Sequence, residues 1–353
     1  MESAKAVDLV LIPRSRLDVI NVTEALKRHC GDLLARYKKA LYYSYHTTAG
    51  YFDRSFCARL NHNCDSLHAY VKSFQNLFPP NADYQHDQLE QRSELSEEQQ
   101  CQEPRNADSH LTFMGSGLTN CVTYDPKTPV YFIDLDGVYD ETIRKRQTTV
   151  IGFNFEEVAA TVSLTVPVSG HSVDSVNLKD ARLGLYDELQ ELLKRHGIVK
   201  GRIDLSLAPH ERCAGLTVNE FETYLMQHDL VEVLRNPLRF MAEKGKHMLS
   251  DPRTIPSKAR DYAKYDLVHV VNEFLDALGL NESLFERVIN KFLAVPAERF
   301  LRMKRSVSLP ISDNNNKGAG SVLQGLYQSP ILVQWKKSEA HTRRLNATII
   351  RFR

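Results

Sequence analysis

No charge of one sign dominates this sequence. Lys and Arg number 45 and Asp and Glu 44, for a net charge of +1. That balance removes the electrostatic footprint of a nucleic-acid or anionic-membrane binder, so neither is expected as a partner. Cysteine is scattered: Cys30, Cys57, Cys64, Cys101, Cys121 and Cys213 include no Cys-x-x-Cys pair. This argues against a disulfide scaffold and for free thiols in a reducing compartment. No apolar run approaches a membrane-spanning length. The opening "MESAKAVDLVLIPRSR" lacks the basic start and long apolar core of a signal peptide. A cytoplasmic protein is the resulting expectation. What remains is globular composition, 42% hydrophobic and 25% charged over 353 residues, enough for two domains.

Internal similarity sets the domain reading. "LVLIPRSRLDVINVTEAL" (9–26) resembles "LTVPVSGHSVDSVNLKDA" (164–181), matching Asp18 with Asp174 and Asn21 with Asn177. An amphipathic helix follows each, then a strand and a histidine, "ALYYSYHTTAG" against "GRIDLSLAPHERCAG". Near the ends, "KTPVYFIDLDGVYDETIRKRQTTVIGFNF" (127–155) parallels "QSPILVQWKKSEAHTRRLNATIIRFR" (328–353), aligning Pro129 with Pro330 and Val150-Ile151 with Ile349-Ile350. Similarities in the same order predict two tandem α/β (α+β) domains, 1–156 and 157–353. Helical spacing over 216–305 predicts that the second copy carries a helical insertion, about 230–305. Two stretches read as mobile, the charged, Gln-rich 88–106 and "SDNNNKGAG" at 312–320.

Three histidines of the first copy sit where a scaffold presents polar groups: His46 at a strand end, His86 after the "FPPNAD" turn, and His110 in "NADSH" before Gly115-Ser116-Gly117. Converging imidazoles could hold a divalent metal such as zinc with a position open to substrate, bind phosphate, or transfer protons. Three unrelated surface histidines are the bland alternative, because no His-x-x-x-His spacing ties them together. The Gly-Ser-Gly is either a phosphate cradle or a turn. Arg144, Lys145 and Arg146 are either a phosphate contact or a solvated hairpin end. Asp134 and Asp136 share a strand face, from which one could orient a histidine.

"HTTAG", "YQHD", "NADSHL…GSGLT" and "VYFIDLDG", in this order, resemble the YjbQ family over residues 9–155. The resemblance implies a compact sheet with helices on one side, a homo-oligomer, and a histidine-lined pocket with a metal reported in some members. It also implies a thiamine-phosphate-synthase-like transfer on a small phosphorylated substrate. On that reading His46, His86 and His110 are metal ligands or acid–base groups. Asn106 and Asp108 orient them, and Thr47, Ser116 and Gly117 contact substrate. A metal-dependent hydrolase at the same histidines, or a ligand-binding scaffold without catalysis, are the rivals.

The second copy resembles the family more distantly through "CAGLTVNEFE" (213–222) and "QGLYQSPILV" (324–333), with His210 one residue early relative to the family histidine. The first copy lacks the family's Asn-Glu and Gly-Thr-Trp-Gln elements; the second keeps Asn219-Glu220 and Gly325-Leu326-Tyr327-Gln328 but lacks the histidine clusters. Such complementary loss is what a shared site would permit, in which Glu220 or Gln328 reaches the pocket of His110; independent drift of the two copies is the alternative.

Overall fold

The computed structural model describes residues 3–235, 303–313 and 318–353. The expected helical insertion therefore lies almost wholly outside the described residues, as does part of the 312–320 stretch. In the first half of the chain the strands are β1 (Lys5–Leu11), β2 (Asp18–Asn21), β3 (Lys39–Ser44), β4 (Ala49–Gly50), β5 (Cys121–Tyr124), β6 (Tyr131–Asp134), the short pair β7 (Val138–Tyr139) and β8 (Thr142–Ile143), and β9 (Arg146–Phe153). The second half supplies β10 (Glu156–Pro167), β11 (Asp174–Asn177), β12 (Gly201–Leu207), β13 (Ala214–Asn219), β14 (Ser306–Ser312), β15 (Ser321–Val322), β16 (Ser329–Gln334) and β17 (Thr342–Phe352). The helices are α1 (Val22–Cys30), α2 (Arg54–Arg59), α3 (Cys64–Leu77), α4 (Glu97–Gln102), α5 (Ala107–Ser116), α6 (Leu185–Arg195) and α7 (Leu230–Arg235). None of the described helices is long and apolar enough to cross a membrane.

The described residues form two compact units: one of residues up to 68, 117–221 and 303–353, the other of 69–116 and 222–235. All five sheets belong to the first unit, and the two halves order their strands alike. The large sheets run β1-β9-β3-β5 and β10-β17-β12-β14-β15, the small ones β2-β6-β4 and β11-β16-β13. Every pairing in these sheets is antiparallel.

Local chemistry explains the matching residues. The Asp18 carboxylate accepts the Arg14 N–H at 2.9 Å, and Asp174 accepts the Ser169 N–H at 2.8 Å, so each closes the turn before its strand. Asn21 caps α1 by accepting the Glu24 N–H, and the helix ends in the basic run Lys27, Arg28 and His29, which suits its dipole. In α6 the buried Leu185, Leu189, Leu192 and Leu193 recur at helical spacing. Each contributes about 1.5–3 kcal/mol as an upper bound. In β12, buried Gly201, Ile203, Leu205 and Leu207 alternate with half-buried residues, as a strand with one core face requires.

The register corrects one of the sequence alignments. Asp18 pairs with Asp134, and Asp174 with Gln334. Val22 donates to the Val130 carbonyl and Leu178 to that of Pro330, both at 2.9 Å, so Val130 and not Pro129 is the counterpart of Pro330. The prolines coincide in sequence but differ by one position in the sheet. The helical reading of 216–305 fails at its start, where Leu216–Asn219 belong to β13. Its alternating β-branched Thr217 and Val218 suit a strand better than a helix.

The two large sheets pack face to face. Leu41, Tyr43, Ile151 and Phe153 meet Ile350 and Phe352, and the Phe153 and Phe352 rings stack 3.9 Å apart. The opposite face of the first sheet carries Tyr42, Val150 and Leu9 against Val22, Leu26 and Phe132. Ile203, Leu205 and Ala347 of the second sheet face the leucines of α6.

Candidate functional site

Within the first unit His46 follows β3 and is half-buried. Burial first, and then the Arg146 and Arg144 charges, push its pKa down to about 3. The ring is therefore neutral at physiological pH, and its Nε2 accepts the Gln147 N–H at 2.7 Å, placing the ring proton on Nδ1. A metal ion at Nε2 would compete with that backbone donor. The His46 carbonyl accepts the Asn120 amide at 2.6 Å and the Gln328 amide at 2.9 Å. Thr47 is half-buried in the same bend.

Gln328 is fully buried, and its side chain is engaged by backbone and tyrosine. Its Nε2 also donates to the Ser44 carbonyl at 2.8 Å; its Oε1 accepts the Tyr43 hydroxyl and the Gly325 N–H. Gly325 lies so close to the Tyr45 carbonyl oxygen that a Cβ there would overlap it. The "GLYQ" loop of the second half therefore clamps the His46 bend of the first.

Asp134 and Asp136 are buried but orient arginines rather than a histidine. Arg146 Nε and Nη2 bind the Asp134 oxygens at 2.7 and 2.8 Å, and Arg144 pairs with Asp136. Arg146 is only 2% exposed, so it is neither a solvated hairpin end nor an open phosphate contact. Glu220, half-buried just after β13, has its N–H bonded to the Asn219 side chain at 2.7 Å. His210 is exposed.

The second unit brings His86 and His110 together. Their ring centroids are 5.2 Å apart in an edge-on arrangement, and one ring nitrogen of each lies within 4.8 Å of one of the other. His110 rides on α5, every residue of which is buried. That helix is opened by Asn106, whose carbonyl accepts the Ser109 and His110 N–H groups at 2.9 and 3.2 Å. Asp87 adds a cap by accepting the Ala107 N–H at 2.9 Å. Asp108 is buried in the first turn, where its charge suits the helix dipole.

His86 sits in the loop between α3 and α4. Its Nδ1 is 2.8 Å from Glu222 Oε2, and its Nε2 is 3.4 Å from Asn106 Oδ1. Asp229 accepts the backbone N–H groups of Gln85 and His86 at 3.1 and 3.0 Å. Asp229 closes a π-helical turn, Leu225–Asp229, that runs into α7. Burial alone would raise the Glu222 carboxyl. Hydrogen bonds from His86 and from the Leu225 and Tyr224 N–H groups outweigh it and hold the group below the usual carboxylate range.

Ser116 and Gly117 end α5. The Ser116 carbonyl accepts the Tyr70 hydroxyl at 3.0 Å, and Gly117 takes φ +81°, the left-handed conformation typical of a helix stop. A helix C-terminus presents carbonyls, which repel phosphate. The 88–106 stretch also has structure: Ser96 and Gln99 form a reciprocal capping box at the start of α4. Glu222, Asp229 and Asp87 were missed by sequence reasoning. The acidic run after Asn219 was the available signal, but it pointed equally to Glu220.

No family model and no curated protein matches the chain. Similarity to solved structures includes a YbjQ-like protein of unknown function from Sulfolobus solfataricus P2, 15% identical, covering 56% of this chain and 99% of that one at a TM-score of 0.28. A hypothetical protein from Aeropyrum pernix K1 is 18% identical, covering 54% of this chain and 97% of that one at a TM-score of 0.28. An uncharacterized conserved protein of the YjbQ/UPF0047 family from Clostridium acetobutylicum is 13% identical, covering 53% of this chain and 98% of its own at a TM-score of 0.25.

Proposed function

We propose that His86 and His110 form the heart of a metal-assisted enzyme site acting on a small phosphorylated substrate, in a chain built of two tandem YjbQ-like copies. The observation that carries this reading is the pair itself: two buried imidazoles with nitrogens within 4.8 Å, one of them bonded to a carboxylate at 2.8 Å. The donor set fits a borderline cation such as zinc. Two nitrogens bound at about 2 Å each lie no more than about 4 Å apart, so the pair needs little closure. A bound divalent cation would act as a Lewis acid on a phosphoryl oxygen. The protein's own part is to orient His86 through Glu222, to fix His110 on a fully buried helix, and to keep water from the pair by that burial. His46 is proposed to position its bend through the Gln147 N–H. Asn106 and Asp108 shape the start of α5.

The motif resemblance proposes the reaction class, a thiamine-phosphate-synthase-like transfer, and self-association. The full chain, purified without an affinity tag and supplied with zinc, is incubated with a pyrimidine diphosphate and a thiazole phosphate. Thiamine phosphate formed by the wild type and lost in His110→Ala is the expected result. Zinc-dependent phosphate release from either compound alone would assign hydrolysis instead. No turnover of either kind would overturn the enzymatic reading and leave a binding protein.

A further inference from the structure

The Glu222 carboxylate receives more donors than His86 alone. Its Oε1 accepts the Tyr224 N–H at 2.7 Å, and its Oε2 accepts the Leu225 N–H at 2.8 Å, the same oxygen that faces His86 Nδ1 at 2.8 Å. An ionised carboxylate can only accept. The atom facing it must therefore donate, so His86 carries its proton on Nδ1, and Nε2 is the basic nitrogen of the neutral ring. The Asn106 Oδ1, 3.4 Å from Nε2, can only accept, so a bare Nε2 requires this amide to turn and present its NH2 to the ring. The backbone is fixed by a second carboxylate, since Asp229 binds the consecutive N–H groups of Gln85 and His86 with its two oxygens. Asp229 is fully buried, as is His86.

We propose that Glu222 and Asp229, both contributed by the second half of the chain, are positioning residues for His86 of the first half. Glu222 selects the Nδ1–H tautomer, and Asp229 fixes the turn that carries the ring, so that Nε2 is the nitrogen offered to metal or substrate. This assigns the segment after β13 a role although it lacks the histidine clusters. The arrangement is the carboxylate–histidine support that orients a ligating imidazole and raises its basicity. The proposal rests on the metal-site reading for its consequence, but its tautomer content stands without metal.

The experiment uses the full chain, metal-free and carrying 15N-labelled histidine. NMR correlations distinguish the protonated ring nitrogen of His86 from the bare one, with His86→Gln identifying its signals. The wild type is expected to show Nδ1–H. In Glu222→Gln one amide oxygen must serve the backbone N–H groups, turning the amide NH2 toward Nδ1 and shifting His86 toward Nε2–H. Zinc titration of the same samples should show affinity about 10- to 100-fold weaker in Glu222→Gln. An Nε2–H tautomer in the wild type, or a folded Glu222→Gln with unchanged tautomer and zinc affinity, would overturn the proposal. The wild-type tautomer needs no variant, so the test survives if Glu222→Gln fails to fold. A wild type that shows Nδ1–H yet binds no zinc would sink the metal reading while supporting the positioning geometry.

Discussion

The two halves solve one local problem with exchanged chemistry. In the first half, buried Arg146 pairs with Asp134 of β6, and the next residue, Gln147, gives its N–H to His46 at 2.7 Å. In the second half, buried Arg343 meets Gln334 of β16, the register counterpart of Asp134, at 3.2 Å. Arg344 gives its N–H to Glu211 at 2.9 Å, and the same Glu211 binds Arg343 at 2.8 Å. Ala49 pairs with Asp134 as Ala214 pairs with Gln334, so Glu211, three residues before Ala214, stands where His46 stands before Ala49. His210, the residue before Glu211, is exposed. Each buried arginine thus keeps one carboxylate, and each backbone N–H keeps one acceptor. The carboxylate lies on the strand in the first half and in the bend in the second. A buried guanidinium requires a counter-charge, but the fold does not dictate which element supplies it.

Asp134→Asn breaks this comparison with the largest expected effect. It leaves Arg146 buried without its carboxylate, and urea unfolding should show a loss of about 3–5 kcal/mol. Transplanting the second half's solution, Asp134→Gln with His46→Glu, should recover part of that loss, with a coupling of about 1–3 kcal/mol in a double-mutant cycle. Strict additivity would show that the two networks are not interchangeable.

Gln328→Ala comes next. It strips the Ser44 and His46 carbonyls and the Gly325 N–H of a buried partner and should cost about 2–3 kcal/mol, read as a lower melting temperature. A loss within experimental error would mean that the clamp between the halves is idle.

The smallest effect at any single pH step is a difference in pH dependence. His46 is depressed to about 3 from its ordinary 6.5, so the unfolded chain binds the extra proton across that window. Stability from this group is complete above about pH 6.5 and declines as pH falls toward 3, by up to about 1.4 kcal/mol per pH unit, less for a ring only partly buried. His46→Gln keeps an acceptor for Gln147 and should flatten this slope. Chemical denaturation of both proteins at several pH values reads it.

Much of the architecture was legible because it rests on local rules. Asp18 and Asp174 each close a turn, Asn21 caps a helix, and β10 and β12 alternate as strands with one core face. The error at Pro129 arose because identity of residue type was weighed over register, which is set by pairing partners far along the chain. The His46 to Glu211 exchange was hidden for the same reason: His210 offered the matching letter one position early. The pairing of His86 with Glu222 spans residues separated by 136 positions, and no short motif encodes such a contact. Asp229 was illegible because its π-helical turn leaves no periodic trace in sequence.

The central claim is that His86 and His110 hold a divalent cation, supported by carboxylates from the other half of the chain. Zinc titration of the untagged full chain tests it most directly, with His86→Ala, His110→Ala and His210→Ala as variants. The account predicts one tight zinc equivalent in the wild type and in His210→Ala, and its loss in His86→Ala and His110→Ala. A wild type without zinc affinity, or tight binding retained in both of those variants, would contradict it.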